Sequence, residues 1–159
     1  MKSSIRICAV AAVAAASLAG IISFAHTATT ESMDTRKPAL VARGLLETVF
    51  NQRKVQEGFD KYVGATYTQH NPYAADGKQA AIDFLSKYLG TGAEYKYDIK
   101  HIYVDGRIVV VHSHVTRGKD DRGSAVIDIF RLDDGDRIVE HWDVLQPIPE
   151  KSANDNTMF

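Results

Sequence analysis

An acidic residue within an apolar segment is the first feature of this sequence that could take part in chemistry. Asp128 lies between Val126 and Phe130, and alternation along a strand places all three side chains on one face. A charged carboxylate on an apolar face costs on the order of several kcal/mol. It is therefore expected to be paired, to open onto a cavity, or to be kept neutral. Each of these cases predicts a site around Asp128.

Two histidines of a neighbouring segment could exchange protons with Asp128. His112 and His114 lie on one face of the apolar segment 107–117, and antiparallel pairing with segment 124–132 can bring one of them beside Asp128. A histidine next to a carboxylate on an apolar wall is suited to proton transfer. The alternative is that both are hydrogen-bonded polar residues of the sheet or lie exposed on its outer face.

Four further residues could contact a ligand near Asp128. His70, in a polar loop, could close the mouth of a cavity or donate to a ligand oxygen, although a turn role is the alternative. Trp142 could form part of an apolar wall, and alternation sends its neighbours His141 and Asp143 to the opposite face. Those two could equally be rim, interface or catalytic residues. The aromatic residues Tyr67 and Phe130 complete the predicted ligand-contacting set.

Some of these residues are also metal-binding types, namely His70, His112, His114 and Asp128. Two histidines two positions apart on a strand can chelate an ion, but the spacing fixes no third or fourth ligand. The sequence carries no glycine-rich phosphate loop, serine nucleophile elbow or cysteine nucleophile. We therefore predict neither a metal nor a cofactor.

Three helices are expected to come first along the folded part of the chain. Apolar residues recur at helical spacing from Ala39, directly after Pro38, and again from Val55 to Val63. Asp76 and Gln79 form a capping-box pattern that predicts a third helix, ending near residues 90–92. The segment 67–73 lies between the last two helices, and its Asn-Pro step predicts a loop or a very short strand.

Four strands with short connections are expected to follow the helices. Alternating patterns over residues 95–103 and 108–116 flank the hairpin dipeptide Asp105-Gly106. Segments 124–132 and 137–146 are rich in β-branched and aromatic residues and fold back across the turn residues 133–136. The predicted class is α+β, with three N-terminal helices packed on a curved four-stranded antiparallel sheet that encloses a conical pocket.

The beginning of the chain resembles a secretory signal. Lys2 and Arg6 precede an apolar run over residues 7–25, and small residues precede a plausible cleavage point after Ala25. We expect a signal peptide at 1–25, a linker at 26–37, the domain at 38–149 and a flexible tail at 150–159. An uncleaved membrane anchor is the alternative, since the apolar run is just long enough to cross a bilayer. The expected location is periplasmic or secreted.

Charge and cysteine content limit the partners of the exported part. The chain has 19 basic and 20 acidic residues, and two of the basic ones lie in the signal segment, which leaves a net charge near −3. This balance gives no basic footprint for a nucleic acid. The single cysteine, Cys8, also lies in the signal segment, so no disulfide is expected. The expected partners are a small apolar molecule and a second copy of the chain, paired through an outer sheet face carrying Val109, Val111 and Val115.

The sequence resembles the SnoaL-like polyketide cyclase family within the nuclear transport factor 2-like superfamily. The likeness covers residues 39–149, and its most specific parts are residues 67–72, 128–132 and 140–146. It implies a cone of three helices against a curved antiparallel sheet. It also implies a strand aspartate that acts as general acid/base with a histidine one strand earlier, here Asp128 and His114. The export signal departs from the intracellular cyclases of that family.

The expected function is therefore cofactor-independent acid/base catalysis on a small apolar carbonyl compound, as an aldol-type cyclase or an isomerase. Asp128 would take a proton from the carbon next to the carbonyl, and His114, together with His70 or His112 as a further substrate-binding residue, would bind the developing enolate oxygen. The alternative is a non-catalytic module of the periplasm that holds a small ligand in the same pocket. A third possibility is an assembly part that acts through its outer sheet face.

Overall fold

The computed structural model of the protein describes residues 36–92 and 94–159. The predicted signal peptide, its cysteine and most of the predicted linker lie outside the described residues. Among the helices that are described, none is long and apolar enough to span a bilayer. The predicted domain can therefore be compared with the structure over nearly its whole length.

Three helices precede the main part of the sheet, as predicted. They are α1 (Arg36–Leu46), which continues through one π-helical turn at Glu47–Asn51, α2 (Val55–Tyr62) and α3 (Lys78–Leu89). The first helix buries Ala42, Leu45 and Leu46, which lie three and four positions apart on one face. It begins two residues before Pro38, which is tolerated in a first turn because no intrahelical partner is needed there for its missing N–H.

The sheet has five strands rather than the predicted four. They are β1 (Val63–Gln69), β2 (Tyr95–Asp105), β3 (Ile108–Arg117), β4 (Ser124–Leu132) and β5 (Ile138–Pro147). Their order across the sheet is β1-β5-β4-β3-β2, with the last four strands forming the predicted antiparallel meander. The α+β class is confirmed.

The additional strand lies at one edge and runs parallel to β5. We predicted its residues as the end of a helix followed by a loop or a very short strand. Its partners lie more than 70 residues further along the chain, as in the bond from the His70 backbone N–H to the His141 carbonyl at 2.9 Å. Local sequence carries no signal for so distant a parallel pairing.

The predicted capping box at the start of α3 is wrong. Gly77 is the cap residue, with a φ of +98°, and no side chain caps the helix. The Asp76 carboxylate instead accepts the backbone N–H of Gln69 at 2.8 Å, and the Gln79 amide donates to Asp83 at 2.9 Å. Asp76 therefore fastens the loop after β1 to the end of that strand.

The register between β3 and β4 decides which side chains face the helices. Val111 lies opposite Asp128, and Val109 opposite Phe130. All four side chains are buried, with 4% or less of their surface exposed. The face that carries Asp128 is therefore the inner face of the sheet, and the odd-numbered residues of β3 share it. Val109, Val111 and Val115 are core residues, so our placement of them on the outer face is wrong.

A glycine in the turn between β3 and β4 maintains this register. Gly123 has a φ of +79°, and an added Cβ would lie 2.2 Å from the Val115 carbonyl oxygen. We expect Gly123→Ala to destabilise the fold by about 3 kcal/mol, since left-handed strain adds to a backbone clash. Urea unfolding would measure the loss.

The matched control for this substitution is Gly106→Ala in the β2–β3 turn. Gly106 also has a positive φ, +57°, but a Cβ there would meet no atom within 4 Å. Gly106→Ala should lower the free energy of unfolding by about 1 kcal/mol, since only the strain of a positive φ applies there. Equal losses for the two variants would contradict the close approach at Gly123.

Candidate functional site

A cavity of about 740 Å³ lies between the helices and the inner face of the sheet. Most of its wall is apolar, with residues from α1, α2, α3 and all five strands. Its polar lining includes Asp128, His141 and Asp143 from β4 and β5, together with Gln69 and Asn71 from the end of β1 and the following loop. The cavity matches the predicted pocket, and these five polar side chains lie together on its wall.

Asp128 is held at this place by two neighbours. The Tyr97 hydroxyl of β2 donates to Oδ2 of Asp128, and Nε2 of His141 lies 3.0 Å from Oδ1. Burial, with the nearby Asp128 charge, raises the pKa of Tyr97 well above its ordinary value. Tyr97 therefore stays protonated and donates to the carboxylate, which leaves the contact with His141 as the one through which a proton can move.

The protonation of His141 follows from its other hydrogen bond. The backbone N–H of Asn71 can only donate, so the Gln69 atom that it contacts at 3.0 Å is the oxygen, Oε1. The same oxygen lies 3.2 Å from Nδ1 of His141, which must therefore carry a hydrogen. The remaining contact, between Nε2 and Asp128 Oδ1, then requires one proton. The Asp128–His141 pair shares that proton inside the cavity.

A second carboxylate stands directly beside this pair. Asp143 is the cross-strand partner of Asp128, and both of its oxygens lie 2.8 Å from the Asn71 side-chain amide, which donates to them. One ligand atom from each of Asp128, His141 and Asp143 lies within 4.8 Å of the others. This arrangement could hold a metal ion. Of the four residues considered as metal ligands in the sequence, it contains only Asp128. The absence of a metal stays a prediction.

Tyr67 on β1 contributes a hydroxyl to the same place. It accepts a hydrogen bond from the Gln69 side-chain amide at 3.3 Å, so its own O–H remains available to donate. Burial and the charges of Asp128 and Asp143 raise the pKa of Tyr67 above its ordinary value. The Tyr67 ring is stacked against His141 with the ring centroids 6.5 Å apart. The site thus combines a shared proton with a protonated hydroxyl.

Comparison with known families identifies the family of this domain. The model of the SnoaL-like domain matches residues 42–141, which is more than half of the chain. The chain belongs to the SnoaL-like family. Its predicted membership is confirmed, and the matched range ends at the histidine that pairs with Asp128.

Solved structures agree with this SnoaL-like assignment at the level of the fold. TsrD from Streptomyces laurentii is 18% identical, with 71% of this chain and 90% of that one covered at a TM-score of 0.58. A candidate ketosteroid isomerase from Kribbella flavida is 16% identical, with 79% and 90% covered at a TM-score of 0.62. A candidate SnoaL-like polyketide cyclase from Shewanella putrefaciens is 19% identical, with 72% and 83% covered at 0.57. Among curated proteins no sequence matches the chain.

Three of the predicted site residues lie where the prediction put them in this SnoaL-like domain. Asp128, Tyr67 and Phe130 all line the cavity. The Phe130 ring is stacked on His141 with the ring centroids 5.0 Å apart, and His141 is its cross-strand partner. Phe130 therefore fixes the plane of the imidazole that faces Asp128.

The prediction that His112 or His114 lies beside Asp128 is wrong. Because Val111 is opposite Asp128, both histidines point to the outer face of the sheet. Nε2 of His114 donates to the Arg122 carbonyl at 2.8 Å, and its ring lies 4.7 Å from that of Phe159. The His112 ring lies 5.4 Å from the same phenyl ring, which belongs to the tail that we predicted to be flexible.

His70 and Trp142 lie outside the cavity and contact each other. Their rings are stacked with centroids 4.4 Å apart and planes 3° from parallel. Nε2 of His70 donates to Glu140 at 2.8 Å, and this bond, with a second from Arg131, lowers the pKa of Glu140. Neither His70 nor Trp142 lines the cavity as predicted. Trp142 lies on the opposite face of β5 from His141 and Asp143.

The sequence prediction left the roles of two residues of the site open and did not include three others. It placed His141 and Asp143 opposite an inward-facing Trp142, and it gave no role to Tyr97, Gln69 or Asn71. A usable signal existed for β5. Counting outward from the predicted turn at 133–136 places residue 141 opposite 128, which puts His141 on the face of Asp128. In the structure Asp128 pairs with Asp143 and Phe130 with His141, a shift of two residues that keeps His141 on that face. The contribution of Tyr97 has no such signal, since its strand is two strands away from β4.

Proposed function

We propose that this SnoaL-like protein is a cofactor-independent acid/base enzyme that moves a proton at the carbon next to a carbonyl group. The observation that carries the proposal is the 3.0 Å contact between Oδ1 of Asp128 and Nε2 of His141 on the wall of an apolar cavity. Such a pair can accept a proton from carbon and return it to another position. The reaction classes that fit are isomerisation and aldol-type cyclisation of a small, largely apolar compound.

Each group of the site has a role in this proposal. Asp128 is the base, and its orientation is fixed by Tyr97 on one oxygen and His141 on the other. His141 takes up or supplies the shared proton as the charge on Asp128 changes. The Tyr67 hydroxyl, which the Gln69 amide leaves free to donate, would bind the developing enolate oxygen. The candidate isomerase and cyclase among the similar structures are consistent with this chemistry.

A test that needs no known substrate follows from the mechanism. The purified domain is incubated in D₂O with a set of apolar ketones, such as 2-undecanone and 2-decalone, and NMR measures deuterium uptake at the carbon next to the carbonyl. We expect uptake from at least one ketone to exceed the rate without protein. A ketone that binds without any uptake would instead favour the ligand-binding module.

The same exchange assay separates the two candidate histidines. His141→Gln should lower the exchange rate by about 100-fold, because the partner that shares the proton of Asp128 is lost. His114→Gln is the matched control, since His114 lies on the outer face, and it should leave the rate within about twofold of the unmodified protein. A large loss in the His114 variant with none in the His141 variant would reverse the assignment.

Two further expectations from the sequence remain proposals. Export rests on the charged and apolar pattern of residues 1–25. Pairing with a second copy no longer rests on the buried valines. The outer sheet face offers instead Tyr103 and Val144, which are 61% and 63% exposed. The proposal of a homodimer therefore rests on this exposed outer face.

A further inference from the structure

A positively charged side chain stands in the cavity wall at the end of β3. Arg117 lines the cavity together with Tyr88 and Tyr95, and its guanidinium carbon lies 5.4 Å and 5.6 Å from the centres of their rings. The two tyrosine hydroxyls are 2.5 Å apart and hydrogen-bonded to each other. Cation–π contact with two mutually fixed rings restricts the guanidinium to one place.

Arg117 takes part in none of the ion pairs within 4 Å among the described residues. Asp121 lines the same cavity, and its charge interacts with that of Arg117. Its two oxygens are already engaged, since they accept the backbone N–H groups of Arg117 at 2.7 Å and Gly123 at 2.9 Å. The guanidinium can therefore donate to a planar anion bound inside the cavity.

Arg117 and Asp128 belong to two ends of one cavity. Val111, the cross-strand partner of Asp128, precedes Arg117 by six residues on β3, which corresponds to roughly 20 Å along the strand. The cavity wall between the two ends is mostly apolar. A carboxylate at the inner end would be repelled by Asp128 and Asp143, whereas at the outer end it would meet the Arg117 guanidinium beside a single carboxylate, Asp121. Charge thus fixes one orientation for an elongated ligand with one anionic end.

We propose that Arg117 binds the carboxylate of an elongated oxo acid whose carbonyl reaches Asp128. The substrate class is then a medium-chain apolar compound with a carbonyl near one end and a carboxylate at the other. This inference rests on the proposed function in one respect, because it takes the cavity beside Asp128 as the place where the carbonyl binds. The affinity for the carboxylate itself does not require proton transfer.

The experiment compares two ligands that differ in one group. 10-Oxoundecanoic acid and 2-undecanone share a methyl ketone and an eleven-carbon chain, and the first adds a terminal carboxylate. Isothermal titration calorimetry with the protein in the syringe gives both dissociation constants. We expect the oxo acid to bind about tenfold more tightly, as one charge-assisted bidentate contact allows.

Variants assign this preference to one side chain. Arg117→Gln should raise the dissociation constant of the oxo acid about tenfold and leave that of 2-undecanone within about twofold. Arg117→Lys should keep part of the preference for the oxo acid over 2-undecanone, since lysine keeps the positive charge but lacks the paired donors of the guanidinium. Arg122→Gln is the matched control, because Arg122 lies in the adjoining turn and does not line the cavity. It should change neither constant.

Several results would overturn the inference. They are equal binding of the two ligands, binding of neither, or an Arg117→Gln variant that folds and keeps the preference. The proposed function fails separately. If the carboxylate preference is present and depends on Arg117 but no ketone exchanges deuterium, Arg117 remains an anion-binding residue of a ligand carrier. If exchange occurs without the preference, the catalytic proposal stands alone.

Discussion

Replacing Asp128 by asparagine is expected to lower deuterium exchange by about 1,000-fold, because a positioned general base contributes a factor of this order. The asparagine side chain has the same shape and can still accept from Tyr97 and contact His141, so the fold and ligand affinity should be retained. The exchange assay measures the loss. Circular dichroism and titration with 2-undecanone establish that the variant is folded and still binds.

Two other aspartates control this experiment. Asp98→Asn removes an exposed carboxylate that pairs with Lys100 at 3.0 Å, and it should leave exchange unchanged. Asp143→Asn tests the second carboxylate of the site, which Asn71 holds on both oxygens. We expect Asp143→Asn to lower the exchange rate by about tenfold, because Asp143 acts through the neighbouring Asp128. An Asp128 variant with full activity and an inactive Asp143 variant would transfer the role of base to Asp143.

The elements with local signals were predicted from the sequence. Helical spacing identified α1, α2 and α3, and the turn residues identified the hairpins that join β2 to β3 and β4 to β5. The inward position of Asp128 was also correct, and the buried Val126 and Phe130 share its face of β4. In each case the information lies within about ten residues of the feature it predicts.

The face of β3 could not be predicted in this way. Val109 and Val111 alternate with Ile108 and Val110, so both faces of the strand are apolar and the pattern does not choose between them. The choice is made by the register with β4, which depends on the turn that contains Gly123. A shift of one residue would exchange the two faces. This single ambiguity led to two wrong predictions, that a β3 histidine is the partner of Asp128 and that the β3 valines lie on the outer face.

The remaining site residues depend on pairings between distant parts of the chain. Gln69 and Asn71 reach His141 and Asp143 because β1 joins the sheet beside β5, across about half of the sequence. Tyr97 reaches Asp128 across the intervening strand β3. No local pattern encodes such contacts, since their formation depends on the assembled sheet. The contacts that assemble the candidate site are therefore a product of tertiary structure, although Asp128, Tyr67 and Phe130 were singled out in the sequence.

The register that places His141 at the site can be tested through stability. Val111→Asp should destabilise the fold by at least about 4 kcal/mol, because it buries a second carboxylate directly opposite Asp128 on the inner face. Val110→Asp changes the neighbouring residue, which lies opposite Ile129 on the outer face, and should cost less than about 1.5 kcal/mol. Urea unfolding followed by circular dichroism measures both.

The two valines form a matched pair, since they are adjacent, identical and in the same strand. A larger loss for Val110→Asp would mean that the even-numbered residues of β3 face the helices. His112 and His114 would then lie on the face of Asp128, and His114 would again be the candidate for its partner. The difference between the two unfolding free energies therefore tests the strand register and the identity of the proton-sharing histidine at once, without any knowledge of the substrate.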